Sequence, residues 1–133
     1  MKTETKTIDM SNRTFLDLTD DARGFVSGEG DGLLNVFAPH ATAGLALIET
    51  GSGSEQDLES ILELMLPRDH PYQHRHGTPG HGRDHVLPAF ISSSLTVPVV
   101  AGEIALGTWQ SIVFVDTNVD NPQRNVRFSF VPG

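Results

Sequence analysis

Five of the chain's six histidines fall between positions 70 and 85. His70 is followed by Tyr72-Gln73-His74-Arg75-His76-Gly77-Thr78-Pro79-Gly80-His81-Gly82-Arg83-Asp84-His85. Imidazole is the side chain that most readily binds metals or moves protons near neutral pH. The glycines and Pro79 argue against a regular helix or a central strand, so an ordered loop is expected. The run is internal and broken by Arg, Asp and Pro, which excludes an affinity tag. The bland alternative is a solvated surface loop. A metal site needs three nitrogen or oxygen donors around one point. Spacing alone does not choose which three: His81 and His85 are four apart, but Gly82 between them argues against the helix that would align them. Zinc or another divalent ion suits imidazole best.

Other chemistries find less support. Cysteine is absent, which excludes thiol nucleophiles, zinc–thiolate sites and disulfide scaffolds. There is no Gly-x-Ser-x-Gly elbow. Gly51-Ser52-Gly53-Ser54 lacks the Gly-Lys-Ser/Thr of a phosphate loop and reads as a capped helix entrance. Nine Lys and Arg against 17 Asp and Glu leave a net charge of -8, which argues against nucleic acid as a partner. A local Arg and His cluster can still oppose that sign and hold a small anion. No apolar run approaches the ~20 residues that span a bilayer, and Met1–Lys6 lacks the apolar core of a signal peptide. No membrane association and a cytoplasmic location are therefore expected.

The elements that must position these groups follow from pattern. Lys2–Met10 and Arg13–Thr19 read as strands joined by a turn at Ser11-Asn12. Thr19-Asp20-Asp21 starts a short helix that buries Ala22, Phe25 and Val26. Leu33–Ala38 and Leu45–Glu49 are buried strands, which leaves His40 and Glu49 at strand ends, where functional groups project from a rigid sheet. Ser52 and Glu55 match a capping box. The helix they open carries a core stripe of Leu58, Ile61, Leu62 and Met65, and Pro67 stops it. After the histidine run, Ala89–Val100 is β-favouring, and Pro98 makes it an edge or bulged strand. Ile112–Val115 is a strand buried on both faces; Trp109 before it is expected as a core aromatic, with stacking on a ligand ring as the alternative. Arg124–Val131 alternates, with Val126, Phe128 and Phe130 inward. The expectation is one α+β domain over residues 1–133, with a largely antiparallel or mixed sheet and one or two packed helices. Its open strand edges invite oligomerisation.

Several blocks resemble the YjbQ family, also called secondary thiamine-phosphate synthase-like. Ser94-Leu95-Thr96-Val97-Pro98-Val99-Val100-Ala101-Gly102 and Gly107-Thr108-Trp109-Gln110-Ser111-Ile112 look like its signature. His40-Ala41-Thr42-Ala43-Gly44-Leu45 resembles its His-Thr-Ser-Ala-Ser-Leu segment. Glu49 matches the acid of its Asn-Glu pair, Tyr72 and His74 its Tyr-x-His, and His85 the histidine before its last long segment. The resemblance implies a YjbQ-like fold and a homotrimer. It also implies a pocket near a subunit boundary where His40, His74 and His85 hold a divalent metal, zinc or magnesium, or a phosphorylated metabolite. Glu49 would be a further ligand or an acid–base group, and Thr42, Thr108 and Gln110 would donate to phosphate oxygens. The implied activity is a weak joining of a thiazole phosphate to a pyrimidine diphosphate. A metal-dependent hydrolase, or a metal- or metabolite-binding protein without turnover, is the alternative. The chain departs from the pattern at Arg75, Gly80-His81 and Leu87, where relatives carry Asp, an acidic pair and a cation. Arg83 or Arg124 is accordingly expected to grip an anion, and Asp84 to orient a histidine.

Overall fold

A computed structural model describes residues 1–133. Two antiparallel sheets enclose the core. The larger has the order β1-β8-β3-β5-β6 and the smaller β2-β7-β4. The strands are β1 (Lys2–Asp9), β2 (Phe15–Asp17), β3 (Gly32–Phe37), β4 (Ala43–Ile48), β5 (Ser94–Val100), β6 (Glu103–Ile104), β7 (Ser111–Asp116) and β8 (Gln123–Pro132). The helices are α1 (Thr19–Val26), α2 (Ser54–Met65) and α3 (Gly82–Val86), with a 3-10 turn over Leu87–Ala89. No helix is long and apolar enough to cross a membrane.

The alternation of β8 produces the expected inward face: Val126, Phe128 and Phe130 are buried with Leu34 and Val36 of β3 and Val97 and Val99 of β5. Ile112 and Phe114 of β7 and Ala22, Phe25 and Val26 of α1 close the same core. Ile112 to Val115 are all buried, as a strand covered on both faces requires. The outer strand β1 is largely exposed and carries Lys2 and Lys6, charges that discourage edge pairing.

Four expectations are corrected. First, the turn at Ser11-Asn12 exists, with Asn12 at φ 59, but it joins no hairpin. β1 pairs with β8 and β2 with β7, so the chain crosses here from one sheet to the other. Second, Ser52 makes no cap. Gly53, at φ 101, is the N-cap of α2, and the Glu55 carboxylate accepts from the Gly51 N–H at 3.2 Å rather than from Ser52, so neither half of the box forms. Third, the α2 stripe is not a core stripe. Leu62 is 2% exposed, but Ile61, Met65 and neighbouring Leu64 are 49%, 50% and 77% exposed, because the cluster beneath the helix is only Leu62, Leu66 and Leu87 with flanking Leu58, Val86 and Ile91. Fourth, a third helix, α3, lies inside the histidine run.

Phe128→Ala removes a ring from the centre of the core and is expected to cost about 3–5 kcal/mol, read as a lower urea midpoint at fixed protein concentration. Leu64→Ser on the exposed face of α2 is expected to stay within about 0.5 kcal/mol of the parent.

Candidate metal centre

The histidines meet because the backbone around them approaches closely. A Cβ on Gly82 would lie 2.5 Å from Tyr72 Cβ and 2.7 Å from the His74 carbonyl oxygen. Only glycine lets the first turn of α3 lie against the Tyr72–His74 segment. The residue that argued against a helix is therefore the one that lets the helix dock. His81 sits at the N-cap of α3 and His85 one turn on, which puts both rings on one face. Their Nε2 atoms are 2.9 Å apart. The His74 ring lies over His85 with centroids 3.9 Å apart. The ligand atoms of His74, His81 and His85 all fall within 4.8 Å of one another. His76 flanks the group, its ring centroid 3.9 Å from that of His74.

The electrostatics favour neutral rings. His74 and His85 are both held below their ordinary value of 6.5, by desolvation first and then by the neighbouring imidazoles. His74 Nε2 is buried and makes no hydrogen bond. His81 Nδ1 lies 3.1 Å from Asp120 Oδ2 and 3.7 Å from Asp84 Oδ2, without a well-aligned bond to either. Two nitrogens on one tetrahedral zinc stand about 3.3 Å apart, so the 2.9 Å Nε2 pair needs only a small spreading to accept an ion. Three convergent imidazoles, one with an orphaned nitrogen, fit zinc, and equally copper or nickel, better than magnesium.

Beside the histidines lies a cleft of about 240 Å³, smaller than a drug-sized pocket. Arg68, His70, Arg75, His76 and His81 contribute to its wall, and no carboxylate does. In a chain of net charge -8, this is a local inversion of sign suited to a small anion.

The remaining expected residues divide between α3 and the two ends of the smaller sheet. His40 is not in the metal group. Its Nε2 rests on the Asn125 backbone, 2.9 Å from the nitrogen and 3.2 Å from the oxygen, and its Nδ1 faces Arg124 Nη1 at 3.4 Å. Burial, then Arg124, hold His40 below its ordinary value. Arg124 does not offer a free grip: Asp116 Oδ2 takes its Nε at 2.6 Å and Thr42 Oγ1 takes its Nη2 at 2.7 Å. Arg83 is turned away from the cleft, 1% exposed and paired with Glu63 at 2.5 Å. Asp84 faces His81 but is occupied by Thr117 Oγ1 at 2.6 Å and by Arg68. Thr42 and Glu49 flank the same strand, so roughly 20 Å of extended chain separates them. Thr108 and Gln110 lie at the Glu49 end, in the exposed turn before β7, where Gln110 Oε1 accepts from the Gly107 N–H at 2.9 Å. Trp109 in that turn is 72% exposed, so the core-aromatic expectation is wrong. The site residues not singled out as ligands or partners beforehand include His81, Arg68 and Asp120. The i, i+4 spacing of His81 and His85 was the available signal for the first; nothing local pointed to the other two.

Asp116→Ala leaves Arg124 charged, buried and without its carboxylate, and is expected to cost about 3–5 kcal/mol in urea unfolding. The depressed histidines set the sign of a pH effect. The folded metal-free chain binds fewer protons than the unfolded one once pH drops below about 6.5. Their contribution is fully present above that value and is lost as pH falls through the lower folded values. Urea midpoints at pH 7.5, 6.5 and 5.5 are expected to decline in that order, and less steeply in His85→Ala.

A family profile described as "UPF0047 protein YjbQ-like" matches residues 4–133. A UPF0047 protein of Mycobacterium tuberculosis is 57% identical over 133 residues, with all of both chains covered. Another, from Methanothermobacter thermautotrophicus, is 36% identical over 117 residues, covering 86% of this chain and 80% of its own. Among solved structures, a hypothetical protein from Aeropyrum pernix K1 superposes with a TM-score of 0.88 at 30% identity, with all of both chains covered. An uncharacterised YjbQ/UPF0047 protein from Clostridium acetobutylicum gives 0.85 at 28% identity, covering 96% of this chain and 99% of that one. Sequence and fold agree over the full length: this chain belongs to the YjbQ/UPF0047 family.

Proposed function

We propose that this chain is a metal-dependent enzyme of the cytoplasm that acts on a small phosphorylated metabolite, using a zinc-class ion held by His74, His81 and His85. One observation carries the reading: three imidazoles converge within 4.8 Å beside a cleft with cationic walls. Three protein ligands with one open position is the pattern of catalytic rather than structural zinc. Such an ion, when bound, supplies Lewis acidity at a phosphoryl oxygen or at water. The chain's own groups do the rest. Arg75 and His76, both exposed on the cleft, donate to anionic oxygens, and Arg68 adds charge while its hydrogen bonds hold Asp84.

Metal-assisted hydrolysis of a phosphoester is the simplest reaction of this class. Joining a thiazole phosphate to a pyrimidine diphosphate is a finer alternative, but a departing diphosphate is commonly served by magnesium with oxygen ligands, and the donors here are nitrogen. In the homotrimer that this reading includes, the Glu49, Thr108 and Gln110 end of one chain meets the histidine end of the next. Exposed Trp109 and Phe90 supply apolar contact there. The lack of a carboxylate base on the cleft wall favours a second reading, a protein that binds metal or metabolite without turnover.

The test is metal analysis of the purified protein followed by a panel of phosphomonoesters and diphosphates. One zinc per chain is expected, with zinc affinity falling at least tenfold in His81→Ala and His85→Ala and turnover falling with it. Turnover that survives both substitutions overturns the enzyme assignment. Zinc binding with no turnover of any compound supports the second reading.

A further inference from the structure

The histidine run supplies the ligands, but the group that orients one of them comes from elsewhere in the chain. We propose that Asp120, in the loop between β7 and β8, is a positioning residue of the metal centre: its carboxylate accepts a hydrogen bond from the Nδ1–H of His81 and so fixes that ring with Nε2 turned toward the ion. The proposal rests on the metal reading above.

His81 is 6% exposed, and its Nδ1 is fully buried. A buried N–H without an acceptor is costly, so a nearby acceptor decides which nitrogen carries the proton. Two carboxylates are near. Asp84 is 3.7 Å away, and its oxygens already serve Thr117 and Arg68. Asp120 Oδ2 is 3.1 Å away, and a small rotation of the ring aligns the bond. A proton at Nδ1 leaves the Nε2 lone pair free, on the side where His85 Nε2 lies 2.9 Å away. A carboxylate at Nδ1 stands on the ring edge turned from the ion, so Asp120 orients rather than ligates. Carboxylates behind metal-bound imidazoles act in this way, fixing the tautomer and raising basicity.

Asp120 is itself held. Its N–H donates to Asn118 Oδ1 at 3.1 Å. Its Oδ2 accepts from the Thr78 N–H at 3.3 Å, and the Thr78 hydroxyl donates to Oδ1. Gly77, at φ +86, lets this loop pass: a Cβ there would lie 2.8 Å from Asp120 Oδ2 and 2.9 Å from the His81 ring. The carboxylate therefore has two partners, the Thr78 loop and the His81 ring, and the experiment must separate them.

Zinc affinity is measured by chelator competition at one pH for the parent, Asp120→Asn, Asp120→Glu and Thr78→Ala. Histidine tautomers are read from long-range proton–nitrogen spectra of the metal-free proteins. The expected result is an Nδ1–H tautomer of His81 in the parent and in Thr78→Ala, lost in Asp120→Asn. Zinc affinity is expected to fall about 10- to 100-fold in Asp120→Asn, less in Thr78→Ala, and to recover partly in Asp120→Glu. If Asp120→Asn leaves tautomer and affinity unchanged, or merely matches Thr78→Ala with the tautomer intact, the carboxylate only latches the loop and the inference falls while the metal reading stands. If the parent binds no zinc, the metal reading fails and takes this inference with it.

Discussion

The structure depends on the polar end of β7, where Asp116, Thr117 and Asn118 are all buried. A buried charge is tolerated only when it is paired and hydrogen-bonded. Asp116 meets that condition through Arg124 of β8 and the Asn118 N–H. Thr117 meets it through Asp84 of α3, and its carbonyl accepts from Arg68. Asn118 reaches Thr42 just before β4. One short stretch thus ties β8, the approach to β4, the segment after α2 and the helix that carries His85. The histidine centre is assembled against this anchor and inherits its rigidity.

The charge distribution follows the same plan. No carboxylate lines the cleft, whose wall carries arginines, imidazoles and Tyr72, while Asp84 and Asp120 stand behind His81. Burial and the neighbouring imidazoles both penalise protonation of His74 and His85. Neutral rings are what a divalent ion needs, and an ion would add positive charge where an anion's oxygens have to come. Arg75 adds a positive charge to the cleft wall, and His81 adds an imidazole nitrogen to the donor set.

The resemblance of this chain to its family covers nearly its whole length, yet the residues that carry the resemblance do not gather at one place in the fold. His74 and His85 stand together; His40 and Thr42 belong to the Arg124 network; Glu49, Thr108 and Gln110 lie at the far end of the smaller sheet.

The local code in the chain was sufficient for much of the fold. Alternation in Arg124–Val131 set the inward face of β8, the continuous apolar run of Ile112–Val115 marked a strand buried on both sides, and Thr19-Asp20-Asp21 marked the start of α1. The concentration of histidines by itself identified the region of the centre. Three things lay outside the reach of local pattern. Whether Ile61 and Met65 are buried depends on what lies beneath α2, and helical periodicity reports a face but not its partner. Whether Gly82 breaks a helix depends on the contact it makes: in isolation it costs helix stability, but against Tyr72 and His74 it alone fits. Which imidazoles converge, and that Asp120 stands behind one of them, was decided by tertiary structure, because these groups come from two separate loops and a short helix that only the folded chain brings together.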